Sequence, residues 1–292
     1  MNRVATGMAA LAAATVALAG CGSSSSGGAA APAPTDTSTT RALIAGCTPT
    51  TIHTVTSGVL TFGVDQPVYP PWYNDNKTPL DGNGYESAVG LAMAKELGYA
   101  PSQIAISRIT FNQAISPAPK HFDLDLDEFS ISAAREKAVD FSSPYFNVTQ
   151  AVVAVKSSPA AAVKDVAGLK GLKLGAQVGT TSYTAAQAID PGVAVFNNND
   201  DAKAALTNGQ IDALVLDLPT AFEVQSELTD GVIVGQLPPG TEKAEQFGIV
   251  LDKGSSLTAC VSKTIDDLGN DGELFKLQKT WLNAAGAAPV LS

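Results

Sequence analysis

Two kinds of apolar run alternate along this chain. "GVLTFGV" (58–64) reads as a strand, and "YESAVGLAMAKELGY" (85–99) reads as a helix. In the helix Val89, Met93 and Leu97 recur one turn apart and Gly98 can end it. Between them lies a loop dense in Pro, Gly and aromatics, "DQPVYPPWYNDNKTPLDGNG". "QIAISRITF" predicts a second strand, and "PAPKHFDLDLDEFSI" alternates as a third, with Asp123, Asp125 and Asp127 on one face. Past Pro144 the alternation resumes. "TQAVVAVK" and "GLKLGAQVG" read as strands, "TTSYTAAQAI" as a helix with threonines at its mouth, and "GVAVF" as a strand. "DDAKAALTNG" reads as a helix capped by aspartates, followed by the strands "IDALVLD", "GVIVGQL" and "QFGIVLD". Residues 256–282 close the pattern with two helices broken at Gly-Asn. Such alternation predicts α/β architecture with largely parallel sheets, in two series that divide near residue 150. The last helices are expected to pack back on the first series, and no short internal repeat is visible.

Composition suits a globular core, with 45% hydrophobic and 16% charged residues. A net charge of −10 and the lack of a basic patch argue against nucleic acid as a partner. His53 and His121 are the only histidines, and no CxxC or HxxxH spacing exists, so neither a metal nor a cofactor is expected.

The N-terminus has its own pattern. Asn2 and Arg3 precede the small apolar run "VATGMAALAAATVALAG", which ends at Cys21. This reads as a secretory leader (1–20) rather than a membrane span. Small residues before Cys21 resemble the bacterial lipobox, in which that cysteine is lipidated and becomes the mature N-terminus. The Ser/Gly/Pro-rich segment after it would tether an exported domain to the outer face of the cytoplasmic membrane. With Cys21 assigned, Cys47 and Cys260 remain, and an exported protein with an even remainder suggests a disulfide between them; two separate buried thiols are the alternative.

Five stretches occur in order: "GVDQPVYPPW", "GYESAVGLAMAKELG", "SISAAREKAVDFSSPYF", "GAQVGTTS" and "NGQIDALVLD". Together they resemble the extracytoplasmic solute-binding proteins of amino-acid ABC transporters, the family 3 type, over 60–282. The resemblance implies a two-lobe α/β clamshell of the type II periplasmic-binding-protein kind, with mixed, mostly parallel sheets and two hinge crossings near 147–150 and 245–247. Lobe 1 would hold 55–148 and 247–292, lobe 2 would hold 149–246, and 21–54 would be tether and N-terminal segment. It implies a monomer that is not an enzyme, binds a free amino acid or related small zwitterion, and delivers it to permease subunits in the membrane. Enzymes on the same fold, of the cyclohexadienyl dehydratase kind, and ligand-sensing modules are the alternatives.

By the same resemblance Arg135 would take the ligand carboxylate, with Gly179, Thr180 and Thr181 at a helix N-terminus that attracts anions. The alternative for Arg135 is a surface ion pair with Glu136 or Asp140. Asp217 and Ser130 would accept from the ammonium, unless Asp217 only caps a helix. Asp65, Tyr69, Trp72 and Phe111 would line the side-chain pocket, or the two larger aromatics would be core. Where many relatives carry small or neutral residues stand Asp127 and Glu128, and Gln177 replaces an often apolar position. Asp65 with Asp127 points to a polar or cationic ligand side chain, unless the acids only form a solvated face.

Overall fold

The computed structural model describes residues 43–239, 244–282 and 288–292. Cys21, the leader and most of the tether lie outside the described residues. Two five-stranded sheets organise the rest. In lobe 1, β1 (Leu60–Val64) is flanked in parallel by β2 (Ile104–Arg108) and the two-residue β3 (Leu124–Asp125). The returning strand β12 (Val250–Asp252) then pairs antiparallel with β3 and with β4 (Val139–Phe141). In lobe 2, β9 (Ala213–Asp217), β7 (Leu174–Gln177) and β8 (Ala194–Phe196) run parallel, and β6 (Gln150–Val155) joins β9 antiparallel to β10 (Gly231–Gln236). Each sheet is therefore half parallel and half antiparallel. Strand–helix alternation gives the parallel pairs, and the crossing and returning strands reverse the rest. Between the sheets β5 (Phe146–Val148) pairs antiparallel with β11 (Glu245–Phe247), which makes a two-stranded ribbon at the crossings.

Helix α1 (Tyr85–Glu96) starts where only glycine fits. Gly84 has φ 100, and a Cβ there would stand 2.3 Å from the Trp72 carbonyl oxygen. Val89, Met93 and Leu97 are fully buried with Phe62, Leu124 and Leu126, and α6 (Thr258–Asn270) supplies Val261 and Ile265 to the same core. A short α2 (Phe111–Ala114) carries a second lobe-1 cluster of Phe111, Phe122 and Phe129. In lobe 2, α3 (Thr181–Ile189), α4 (Asn199–Thr207) and α5 (Leu218–Glu227) cover the sheet, whose two faces bury Ala, Val, Leu and Ile.

Cys47 and Cys260 are joined by a disulfide with Cα atoms 5.6 Å apart. It ties the N-terminal segment, with Ile44 and Ile52, to the lobe-1 core. The C-terminus corrects an expectation. After α7 (Glu273–Trp281) the segment 288–292 belongs with lobe 2, not with the lobe-1 return. Leu291 N–H donates to the Gln236 carbonyl at 2.9 Å, Val166 N–H donates to that of Ser292 at 3.1 Å, and the Leu291 side chain is buried against Val234.

"DLDLDE" is not a solvated face. Phe122, Leu124 and Leu126 are buried, and so are Asp123 and Asp125. Asp123 accepts from Val55 N–H and Thr61 N–H at 2.7 Å each, so it anchors backbone. Both faces of this central segment are covered, a situation in which alternation does not mark solvent.

Candidate functional site between the lobes

A narrow cavity of about 40 Å³ lies between the lobes. Its walls include Asp65, Tyr69, Phe111, Asp127, Glu128 and Arg135 from lobe 1, and Gln177, Thr180, Thr181 and Asp217 from lobe 2. The sequence reading did not name Ser182, Asn199 or Thr220, which also line it.

Arg135 is held as a fork. One Nη donates to the Ser130 carbonyl at 2.7 Å and the other to the Gly179 carbonyl at 2.9 Å, so the guanidinium touches both lobes. Its carbon lies 5.3 Å from the centre of the Phe111 ring, which stacks on Phe129. With both Nη atoms committed to these carbonyls the guanidinium is turned into the cleft rather than toward Glu136 or Asp140, and Asp140 pairs with Lys253 at 3.0 Å. Burial pulls the guanidinium down from its ordinary range, and the charges of Asp217 and Glu245 oppose that. Gly179 has φ 78, and a Cβ would stand 2.1 Å from Asn112 Oδ1 of lobe 1, so glycine lets the lobes approach here.

Thr180 Oγ1 accepts from Tyr183 N–H at 3.0 Å and donates to the Gln177 carbonyl at 2.8 Å. Its hydroxyl hydrogen is thus engaged in the cap. What α3 offers an anion is its first-turn N–H groups and the Thr181 hydroxyl. Thr181 Oγ1 stands 3.3 Å from Ser130 Oγ and 3.5 Å from Gln150 Nε2.

Asp217 occupies the N-cap position of α5 but makes no cap bond. Its carboxylate accepts instead from Gln150 Nε2 at 2.6 Å, the side chain directly across the β6–β9 pair. The same amide donates to Glu245 at 2.9 Å, and Glu245 also accepts from Ser130 Oγ at 2.5 Å. Burial, then the charge of Glu245, holds the Asp217 carboxyl well above the usual range. Gln150 and Glu245 were missed. Their only sequence signal is a polar residue at the mouth of an apolar strand.

The opposite wall is acidic. Asp65, at the end of β1, accepts from Gln66 N–H at 2.6 Å and Phe111 N–H at 3.3 Å. Burial raises Asp65, Asp127 and Glu128 above ordinary carboxylate values, and the neighbouring carboxylates push Asp127 and Glu128 further. Beneath them Glu86 and Asp125 are buried, and Glu86 is pushed up to about 7 by burial. Burial likewise raises the Tyr69 phenol. Gln177, 8% exposed, ends β7.

Three expected residues do not line the cavity. Ser130 and Gly179 lie behind it and act through Arg135. Trp72 is 1% exposed, packed edge-on against Tyr85, Phe146 and Phe247, so its place as a pocket wall is corrected to the core beside the hinge ribbon. Among the described residues no group of His, Cys, Asp and Glu is arranged to hold a metal ion.

The arrangement can grip a small zwitterion: a forked cation and helix N–H groups for a carboxylate, and carboxylates for cations. The family described as bacterial extracellular solute-binding proteins, family 3, matches residues 60–284. An L-arginine-binding protein of Pseudomonas aeruginosa is 31% identical over 76% of this chain and 90% of its own length. The arginine-binding extracellular protein ArtP of Bacillus subtilis is 29% identical over 68% of this chain and 77% of its own. Among solved structures, an ancestral arginine-binding protein bound to arginine is 30% identical with a TM-score of 0.64, covering 76% of this chain and 97% of its own.

Proposed function

The chain belongs to the bacterial extracellular solute-binding proteins, family 3, and from that premise we propose that it captures a free basic amino acid and delivers it to an ABC permease. The charge of the cavity carries this reading. Four carboxylates, Asp65, Asp127, Glu128 and Asp217, face one guanidinium, that of Arg135. Arg135 and the α3 N-terminus take the ligand carboxylate, and Asp217 takes the α-ammonium. That leaves Asp65, Asp127 and Glu128 for a second cation on the ligand side chain. A neutral aliphatic side chain would leave buried acids unpaired, and an anionic one would add repulsion. Closure follows because the ligand carboxylate is gripped from both lobes and its two cations are held by opposite lobes. The relatives named above are binding proteins, and this chain is read as one too, without catalysis. Export through the leader, lipidation at Cys21 and a monomeric state complete the reading. Calorimetry on the domain without its leader and tether tests it. Arginine, lysine or ornithine should bind, and leucine and glutamate should not. Tight binding of glutamate or leucine with no response to the basic set would overturn it.

A further inference from the structure

Among the described residues Glu128 is the one residue other than glycine with its backbone in the left-handed region, at φ 54. A side chain with a Cβ held there is strained. The surroundings enforce it. Glu128 N–H donates to Glu86 Oε1 at 2.8 Å, and the buried Glu86 is fixed in turn by the Tyr145 hydroxyl. On one side Phe129 is buried in the stack with Phe111. On the other the Leu126 carbonyl accepts from Tyr73 at 2.7 Å.

This conformation sends the carboxylate across the gap between the lobes. Thr220 Oγ1, on α5 of lobe 2, donates to Glu128 Oε2 at 2.6 Å and accepts from the Trp72 indole N–H of lobe 1 at 2.8 Å. Thr220 is 2% exposed, so one shielded hydroxyl links two lobe-1 groups through lobe 2. The link has an opponent. Glu128 and Asp217 share the cavity wall, and the Asp217 charge is the largest charge effect on Glu128 after burial. Closing the lobes therefore completes a hydrogen-bonded bridge and crowds two carboxylates together.

We propose that Glu128 is a specificity-determining latch, one that joins Thr220 on closure and stays favourable only when a second ligand cation, on the side chain, lies against it. This rests on the cleft reading above, in which the α-ammonium is assigned to Asp217. The second cation neutralises the excess charge that closure would otherwise concentrate. A ligand with a neutral side chain leaves Glu128 charged and desolvated, and the latch works against it.

Two variants test this by calorimetry with arginine and glutamine, with thermal melts of the ligand-free protein. Glu128→Gln keeps an oxygen that can accept from Thr220 and removes the charge. The arginine-to-glutamine affinity ratio should fall by about tenfold or more. An unchanged ratio, or equal losses for both ligands, overturns the proposal. Glu128→Gly relieves the backbone conformation and removes both the charge and the bridge. Its ligand-free melting temperature should rise while its arginine affinity falls. A lower melting temperature or unchanged arginine affinity overturns it. A wild-type protein that ignores arginine, lysine and ornithine overturns the cleft reading and this inference together. Wild-type binding with an unmoved ratio in Glu128→Gln removes this inference alone.

Discussion

The two lobes are built on similar sheets but bury different things. Lobe 2 hides Ala, Val, Leu and Ile on both sheet faces, and two of its three helices follow local capping rules, α5 being the exception. Thr180 and Asn198 cap α3 and α4 by accepting from N–H groups three residues on. Lobe 1 holds the largest fully buried side chains, among them Trp72, Tyr73, Tyr85 and Phe62. It also holds the buried carboxylates Glu86, Asp123 and Asp125 and the left-handed Glu128, while α1, α6 and α7 have no side-chain cap bond. The difference teaches where the work is divided. Lobe 2 is a regular platform that presents helix N-termini. Lobe 1 breaks local rules beside the cleft, where rule-breaking is expected to mark function.

The sharpest way to break this comparison is to remove the lobe-1 cation. Arg135→Ala should cost about 2–5 kcal/mol of ligand binding, the usual loss for one partner of a desolvated charged pair. Thr181→Ala, its counterpart in lobe 2, should cost about 1 kcal/mol, as for a single hydrogen bond. Calorimetry on both variants decides; equal losses would erase the asymmetry.

The disulfide should act on lobe 1. Cys47→Ser with Cys260→Ser is expected to lower unfolding stability by about 2–5 kcal/mol, the range for removing a native disulfide. Hydrogen exchange should show early loss of protection in α6 and β1 before the lobe-2 sheet. Uniform loss would mean that the two lobes unfold as one.

Acidity should separate the lobes next. Burial raises Glu86 from its ordinary 4.5 to about 7, so the folded state keeps a proton that the unfolded state has released. That contribution is complete below about pH 4.5 and is lost as pH rises to about 7, an effect on the order of 3 kcal/mol. Asp125, Asp127, Glu128 and Asp217 are displaced the same way. The ligand-free domain should therefore be more stable at pH 5 than at pH 7.5, and Glu86→Gln should reduce the difference in denaturant melts. A flat wild-type profile would show that these acids are not shielded. The smallest expected effect belongs to lobe 2: Asn198→Ala should cost about 1 kcal/mol of stability, as an ordinary N-cap does, with ligand affinity unchanged.

Legibility in the sequence follows the same divide. The lobe-2 strands and the helices α3 and α4 were readable because period, caps and turns agree there, whereas α5 entered only as the helix that Asp217 would cap. In lobe 1, α1 was readable from Val89, Met93 and Leu97, but "DLDLDE" left open whether its acids face solvent, because that depends on its surroundings. Alternation says which residues share a face, not whether Val55 and Thr61 N–H groups wait to receive Asp123. Arg135, Asp217 and the acids came from ordered motifs. Thr220 and Glu245 did not, because their partners lie 92 and 115 positions away in Glu128 and Ser130. Nor does any local pattern place 288–292 on lobe 2.

That last docking has a mechanical consequence. Leu282 packs with the lobe-1 core and Leu291 with lobe 2, so the covalent chain passes between the lobes a third time, beyond the two ribbon strands. The six Cα-to-Cα steps from Leu282 to Ala288 reach about 20 Å at full extension. While 288–292 stays docked, Leu282 and Ala288 cannot separate beyond that reach. To travel further, Leu291 must leave its apolar seat, which costs about 1.5–3 kcal/mol for a side chain of that size.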